Sequence, residues 1–291
     1  MDFNLVVQSI ESLPSLPQAY HKCCYLLEQD VTDSSDLAQV VKTDPAMTIA
    51  VLRLVNSAFY NVPRKIERLD HAISILGHSN FRDLILTTSL VKAMSDLAGG
   101  LVDMEVFWRH SIYTALVAKR LALYAYLPNS ERLFLAGLLH DIGQLIYFDQ
   151  FETKATKITQ LVSQLGVDVS VAETKVLGFT HQDIGSALCK RWNLPEWLEQ
   201  PIKFYHKPSQ AKGFEHESHL VLLANAIAEQ QYGGLASLGQ PHPRSAAQVD
   251  DNTLWNKANV ARDMLPQVLS DVDEQLGSVM ASLVPDLTSV T

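Results

Sequence analysis

The sequence predicts an all-α protein, and three observations carry that reading. Helix starts and stops recur along its 291 residues. Between them, apolar residues return at the 3.6-residue period of a helix that buries one face. Strand signals, alternating β-branched runs bounded by turn residues, are scarce.

The elements follow in order. In Lys42-Thr43-Asp44-Pro45-Ala46-Met47, Asp44 suits a helix cap and Pro45 the first helical position, where a missing N–H costs nothing. The run Met47 to Val55 is apolar on nearly every face, which predicts a central helix ending at Asn56-Ser57. A further helix is expected from Arg68 to Leu76, stopped by Gly77. After Gly99-Gly100 a new group begins. Val106 to Tyr126 carries a core stripe of Ile112, Ala115, Leu116, Ala118 and Leu121, and Glu131 to Phe148 is again strongly apolar. Thr180-His181-Gln182-Asp183 matches a capping box that opens a helix through Cys189. Pro195 stands near the start of the next helix, and Leu220 to Glu229 forms another. Tyr232 to Asp251, rich in Gly, Pro, Ser and Gln, reads as a loop or linker, and helical periodicity returns from Asn252. The punctuation divides the chain into a helical lobe over residues 1–100, a second over 101–231, the linker 232–251 and a helical tail 252–291.

Composition bounds the function. Apolar residues make up 47% and charged residues 19%, an ordinary globular balance. A net charge of −9 argues against a protein whose task is gripping phosphate backbones, so nucleic acid is an unlikely partner. No window approaches the roughly 18 uninterrupted apolar residues of a membrane span, and no secretory signal opens the chain. The three cysteines, Cys23, Cys24 and Cys189, lack zinc-type spacing, Cys23 and Cys24 read as small core residues, and the compartment reads as reducing cytoplasm.

The informative residues are His110, His140, Asp141, His181 and His206, each inside or at the edge of an apolar helix. Ionisable groups in such settings are costly unless paired or metal-bound. Imidazole and carboxylate together suit iron, manganese or zinc. On one continuous helix His140 and Asp141 would lie about 100° apart, close enough to lean toward one point. Taken singly, His110, His181 and His206 also read as ordinary hydrogen-bonded or surface histidines. The chain uses the residue freely elsewhere, at His21, His71, His78, His216, His219 and His242.

The string Leu139-His140-Asp141-Ile142-Gly143 changes the balance, because it resembles the HD superfamily of metal-dependent phosphohydrolases. The resemblance sharpens with Leu16-Pro17, Asp44-Pro45-Ala46, Leu52 to Tyr60, Ala72 to Gly77, Phe107 to Ser111 and Trp192 to Pro195 in that order. Together these are similar to the HDOD family, the HD-related output domain of bacterial signalling proteins, over about residues 13–230. The resemblance implies an all-α fold with an N-terminal helical lobe and an HD-like lobe. It also implies a bacterial cytoplasmic setting, and signal transduction with a signalling protein or small nucleotide as partner.

The resemblance also marks departures. Where the HD pattern ends on an Asp in a Leu-Ala-Asp context, this chain has Leu223-Ala224-Asn225, which removes a charged ligand. Diguanylate phosphodiesterases of the HD type often carry a His-His pair where this chain has Tyr205-His206. Gln144 stands where catalytic members commonly have Lys, a phosphate contact. The expectation is a degenerate site that binds a divalent metal (iron, manganese or zinc) through His110, His140, Asp141, His181 and His206. It signals through binding more than turnover, with a nucleotide or cyclic-dinucleotide phosphohydrolase as the alternative.

Overall fold

The structure, a computed structural model, describes residues 3–11, 15–27, 33–95, 102–241 and 243–288. Among these, the regular elements are helices and no strand occurs. In chain order they are α1 (Phe3–Glu11), α2 (Gln18–Leu27), α3 (Ser34–Lys42), α4 (Pro45–Val55), α5 (Leu69–Ser95) and α6 (Met104–Tyr124). Then come α7 (Ser130–Leu139), α8 (Ile142–Gln150), α9 (Glu152–Leu165), α10 (Val169–Val176), α11 (His181–Arg191) and α12 (Glu196–Phe204). The chain finishes with α13 (Glu215–Tyr232), α14 (Pro243–Asp250), α15 (Asn252–Lys257), α16 (Leu265–Leu283) and α17 (Pro285–Thr288). None of the described helices is long and apolar enough to cross a membrane.

The chain forms two compact units, one of residues 1–13 and 97–272, the other of residues 14–96 and 273–291. The division differs from the lobes drawn on the sequence, since the first residues join the larger unit and the tail is split within α16. The Gly99-Gly100 pair lies outside the described residues.

In the smaller unit α2, α3 and α4 pack around α5. Asp44 caps α4 by accepting the Met47 N–H at 3.0 Å, with Pro45 at the first helical position. Asn56 ends that helix. Its amide donates to the Leu52 and Ile66 carbonyls and accepts the Ile66 N–H, each at 2.7 Å. The helix begun near Arg68 breaks at Gly77, which adopts φ 76° and ψ 165°, a conformation open to glycine. It then resumes to Ser95, where Thr87, Thr88 and Ser89 are buried because each hydroxyl bonds a carbonyl of the preceding turn.

The larger unit is built on α6, which packs against α7 and α13, while α8 packs on α11 and α12 meets α7, α11 and α13. Asp103 caps α6 by accepting the Val106 N–H at 3.1 Å. The expected stripe is buried, and so are Phe107, Trp108 and Tyr113, which makes α6 the central helix here.

Two expectations are corrected in this unit. The helix read as continuous from Glu131 to Phe148 breaks at the His-Asp doublet, where Asp141 takes φ −103° and ψ 10°. The segment 232–251, read as a loop, contains α14, which starts at Pro243 and buries Val249.

Candidate metal centre

The helix break at the doublet is what brings the site together. His140 ends α7 and Asp141 precedes α8, so the two side chains are not held to the spacing of one helix. Two glycines set the approach of the flanking helices. A Cβ on Gly137 would lie 2.8 Å from the Ala115 Cα of α6, and one on Gly143 would lie 2.0 Å from the His181 carbonyl oxygen. Only a residue without a side chain lets α7 close on α6 and α8 close on α11. Asn225 arrives from the middle of α13.

Four donor atoms converge in this core. His110 Nε2 and His140 Nε2 are 3.3 Å apart, and each lies 3.1 Å from Asn225 Oδ1. Asp141 Oδ2 is 3.6 Å from His110 Nε2 and 3.3 Å from His140 Nε2. Metal bonds of about 2.1 Å give ligand–ligand edges of roughly 3.0 Å in an octahedron and 3.4 Å in a tetrahedron. The observed edges of 3.1–3.6 Å fall on that scale. His110, His140 and Asp141 form the one His/Cys/Asp/Glu group among the described residues with metal-ligand proximity.

The proton inventory points the same way. His140 Nδ1 donates to the Gly137 carbonyl at 2.7 Å, so Nε2 is the ring atom that faces the cluster. Burial, and then His140, push the His110 pKa down to about 4, so its ring is neutral at pH 7. With the His110 ring neutral, few protons are available to the four converging atoms, two of which are oxygens that only accept. A cation satisfies such a surplus of lone pairs.

On the other side of Asp141 lies a chain of charge-assisted hydrogen bonds. Glu173 is fully buried, and its carboxylate accepts the His181 backbone N–H at 2.9 Å and the Nδ1–H at 2.8 Å. His181 Nε2 is 2.6 Å from the Tyr205 hydroxyl and 3.2 Å from Asp141 Oδ1. Tyr205 in turn donates to Asp141 Oδ1 at 2.8 Å. Burial alone would lower the His181 pKa, but Glu173 and Asp141 outweigh it and raise it to about 10. Burial would raise Asp141, yet His140 and His181 hold it well below the usual carboxylate range. His181 is therefore an imidazolium between two carboxylates, and Asp141 has one oxygen on this chain and one on the donor cluster.

His206 stands next along the row, its ring centroid 4.2 Å from Tyr205 and 5.7 Å from His181. Burial, and then His181, push its pKa down to about 3. The structure thus unites His110, His140 and Asp141, and places His181 and His206 behind Asp141. Asn225 joins the cluster in the position marked by the sequence pattern. Glu173 and Tyr205 had no assigned role in the sequence; a buried acid eight residues before His181 was the available signal.

Two further histidines make ordinary hydrogen bonds. His216 Nε2 donates to the Ala258 carbonyl and His219 Nδ1 to that of Glu215.

The open space at the cluster is small. A crevice of about 30 Å³ touches Asp141, Gln144, His206 and Asn225, and is also lined by Gly234, Ser237 and Gln248. That volume takes about one or two waters, or an ion. The cover comes from the segment first read as a linker, tied down by Ser245, which hydrogen-bonds Glu229 of α13.

Comparison with known proteins agrees with this architecture. A crystal structure of an HDOD domain protein of unknown function from Geobacter sulfurreducens superposes with a TM-score of 0.78 at 22% identity, over 96% of this chain and 98% of that one. A Shewanella amazonensis protein named as a candidate phosphohydrolase gives 0.73 at 23% identity, over 96% and 98%. A Marinobacter aquaeolei protein named as a candidate signal transduction protein gives 0.70 at 23%, over 94% of this chain and 59% of that one. At these identities the likeness is one of fold. An uncharacterised protein of Treponema pallidum is 23% identical over 205 residues, 69% of this chain, and the chain spans only 39% of that relative's length. The family model of the HDOD domain matches residues 13–208, well over half of the sequence, and the chain belongs to the HDOD domain family.

Proposed function

We propose that this protein is a regulatory component of bacterial signal transduction in the cytoplasm. It works by binding a partner protein or small nucleotide, and its HD-type site holds one divalent cation without turning over a substrate. His110, His140 and Asp141 are the cation's ligands, and Asn225 supplies a neutral oxygen where an acid would complete the charge. Iron, manganese and zinc suit this mixed nitrogen and oxygen set. His181, Tyr205 and Glu173 orient Asp141, and His206 closes the row behind them.

The observation that carries the reading is the narrowness of the space at the site. The space beside the ligands is about 30 Å³, far below what a phosphodiester needs. Gln144 offers no charge to a phosphate, and Asn225 balances none of the cation's charge. A cation in such a site would polarise bound water, but turnover also needs room for the substrate and a clamp for its phosphate.

The second reading, a metal-dependent phosphohydrolase, is favoured by the intact His-His-Asp set and by its geometry. The two separate in an assay of cyclic dinucleotides and an aryl phosphodiester with added manganese or iron. The binding reading expects the same background rate in wild type and His140→Ala. Turnover present in the wild type and lost in His140→Ala would replace it with the hydrolase.

A further inference from the structure

A second, larger cavity lies beyond His206, between α10, the start of α11, the end of α12 and the short turn Pro208–Gln210 that follows. Its volume is about 620 Å³, within the usual range of small-molecule sites and some twenty times that of the crevice at the metal cluster. His206 and Asp168 line both spaces. Lys175 of α10 meets Lys203 and Lys207, from the end of α12 and the turn after it, at this one concavity. None of the three takes part in an ion pair with a carboxylate among the described residues.

Two acids share the wall, so the lining sets three ammonium groups against two carboxylates. Asp183 accepts the Thr180 N–H and hydroxyl at 2.9 Å each, and Asp168 accepts the Val171 N–H at 3.3 Å, so both serve as helix caps. Ser170 Oγ accepts from the Gln182 amide at 3.2 Å, which leaves its own proton to donate. Val171, 56% exposed, and Phe204 supply apolar faces in the same wall. In a chain of net charge −9, a cavity lined by three ammonium groups and two carboxylates is a local reversal of sign, with Lys203 Nζ 5.1 Å from the centroid of the Phe204 ring.

From this arrangement we infer that the cavity is a binding site for a small organic phosphate, its phosphates held among Lys175, Lys203 and Lys207 and its apolar part against Phe204 and Val171. The volume suits a molecule of nucleoside mono- or diphosphate size. Through the shared His206 wall, the ligand sits next to the metal cluster without entering it. This deepens the reading of the chain as a binding protein and rests on it.

The test is calorimetric titration of the full chain with guanosine diphosphate and with inorganic pyrophosphate, at two salt concentrations. Wild type, Lys203→Gln, Lys207→Gln, the triple Lys175→Gln/Lys203→Gln/Lys207→Gln and His140→Ala are compared. Saturable binding is expected that weakens with salt, falls about tenfold for each lysine and is lost in the triple variant. It is retained in His140→Ala, because that residue lies outside the cavity. These lysines make no ion pair among the described residues, so their variants fold, which circular dichroism verifies. Absence of binding by either compound at millimolar concentration overturns the assignment, as does undiminished binding by the folded triple variant. Binding that disappears with the lysines, together with turnover that disappears with His140, would keep this site and sink the non-catalytic reading. No binding and no turnover would do the reverse.

Discussion

Replacing Glu173 by Gln tests whether the buried chain of charges holds the site together. The carboxylate is fully buried and accepts two hydrogen bonds from His181, at 2.8 and 2.9 Å. Glutamine keeps the shape and one acceptor oxygen, but turns its NH2 toward one of those two donors and removes the charge facing the imidazolium. Removing one partner of a buried ion pair costs about 3–5 kcal/mol. Asp141 still faces His181 at 3.2 Å in the variant, which places the cost near the lower end, about 3 kcal/mol. For a unit of this size that is a fall in Tm of roughly 6–12 °C. The pH profile adds a second readout. The folded pKa of His181 is raised to about 10, so its stabilisation is fully present below the unfolded value of about 6.5 and is lost as pH rises toward 10. Urea denaturation of chelator-treated protein between pH 6 and pH 10 should therefore show an alkaline decline in the wild type that flattens in Glu173→Gln. A loss below about 1 kcal/mol with an unchanged alkaline limb would refute the argument that Glu173 holds His181 charged.

Other consequences can be checked alongside. His110 is buried and His206 half-buried, with pKa values lowered to about 4 and about 3, so the unfolded chain binds more protons below pH 6.5. Their contribution is intact above that pH and lost as pH falls through the folded values; stability of the metal-free protein that is flat from pH 6.5 to 4 would count against their burial as neutral rings. Asn225→Asp adds the missing negative charge 3.1 Å from both imidazoles and should tighten manganese or zinc binding by at least about tenfold, measured by competition with a chromophoric chelator. Unchanged affinity would remove Asn225 from the ligand set. Gly143→Ala forces a carbon to 2.0 Å from the His181 carbonyl and should cost about 3 kcal/mol or more, since the obstacle is backbone. Near-wild-type stability would mean that α8 and α11 do not need this approach.

Much of this was legible in the chain before its coordinates. Asp44-Pro45 announced the start of α4, and the stripe from Ile112 to Leu121 announced α6, because caps and periodicity are local signals. The ordered motifs marked the family, and Leu223-Ala224-Asn225 marked the neutral ligand position. What stayed hidden depends on contacts between distant segments. The break at His140-Asp141 carries no Pro, and Asp141 precedes α8 without making a side-chain cap; the break exists because Gly143 lets α8 turn onto α11. Glu173 looked like one more acid on a short helix, and only the turn from α10 into α11 brings it under His181. The helix Pro243–Asp250 was masked by the Gly, Pro and Gln around it, so a segment that covers the site read as a linker. His181 could be read as a ligand from its position, but its two carboxylate neighbours come from elsewhere in the sequence and make it a buried cation instead.

The central claim is that His110, His140, Asp141 and Asn225 surround one divalent cation. Elemental analysis of protein purified without a metal-affinity step or chelator, with wild type and His140→Ala in parallel, tests it most directly. Close to one equivalent of iron, manganese or zinc is expected per wild-type chain, and none in the folded variant. Wild-type protein that is metal-free, and that takes up no metal when iron, manganese or zinc is added back, would contradict it.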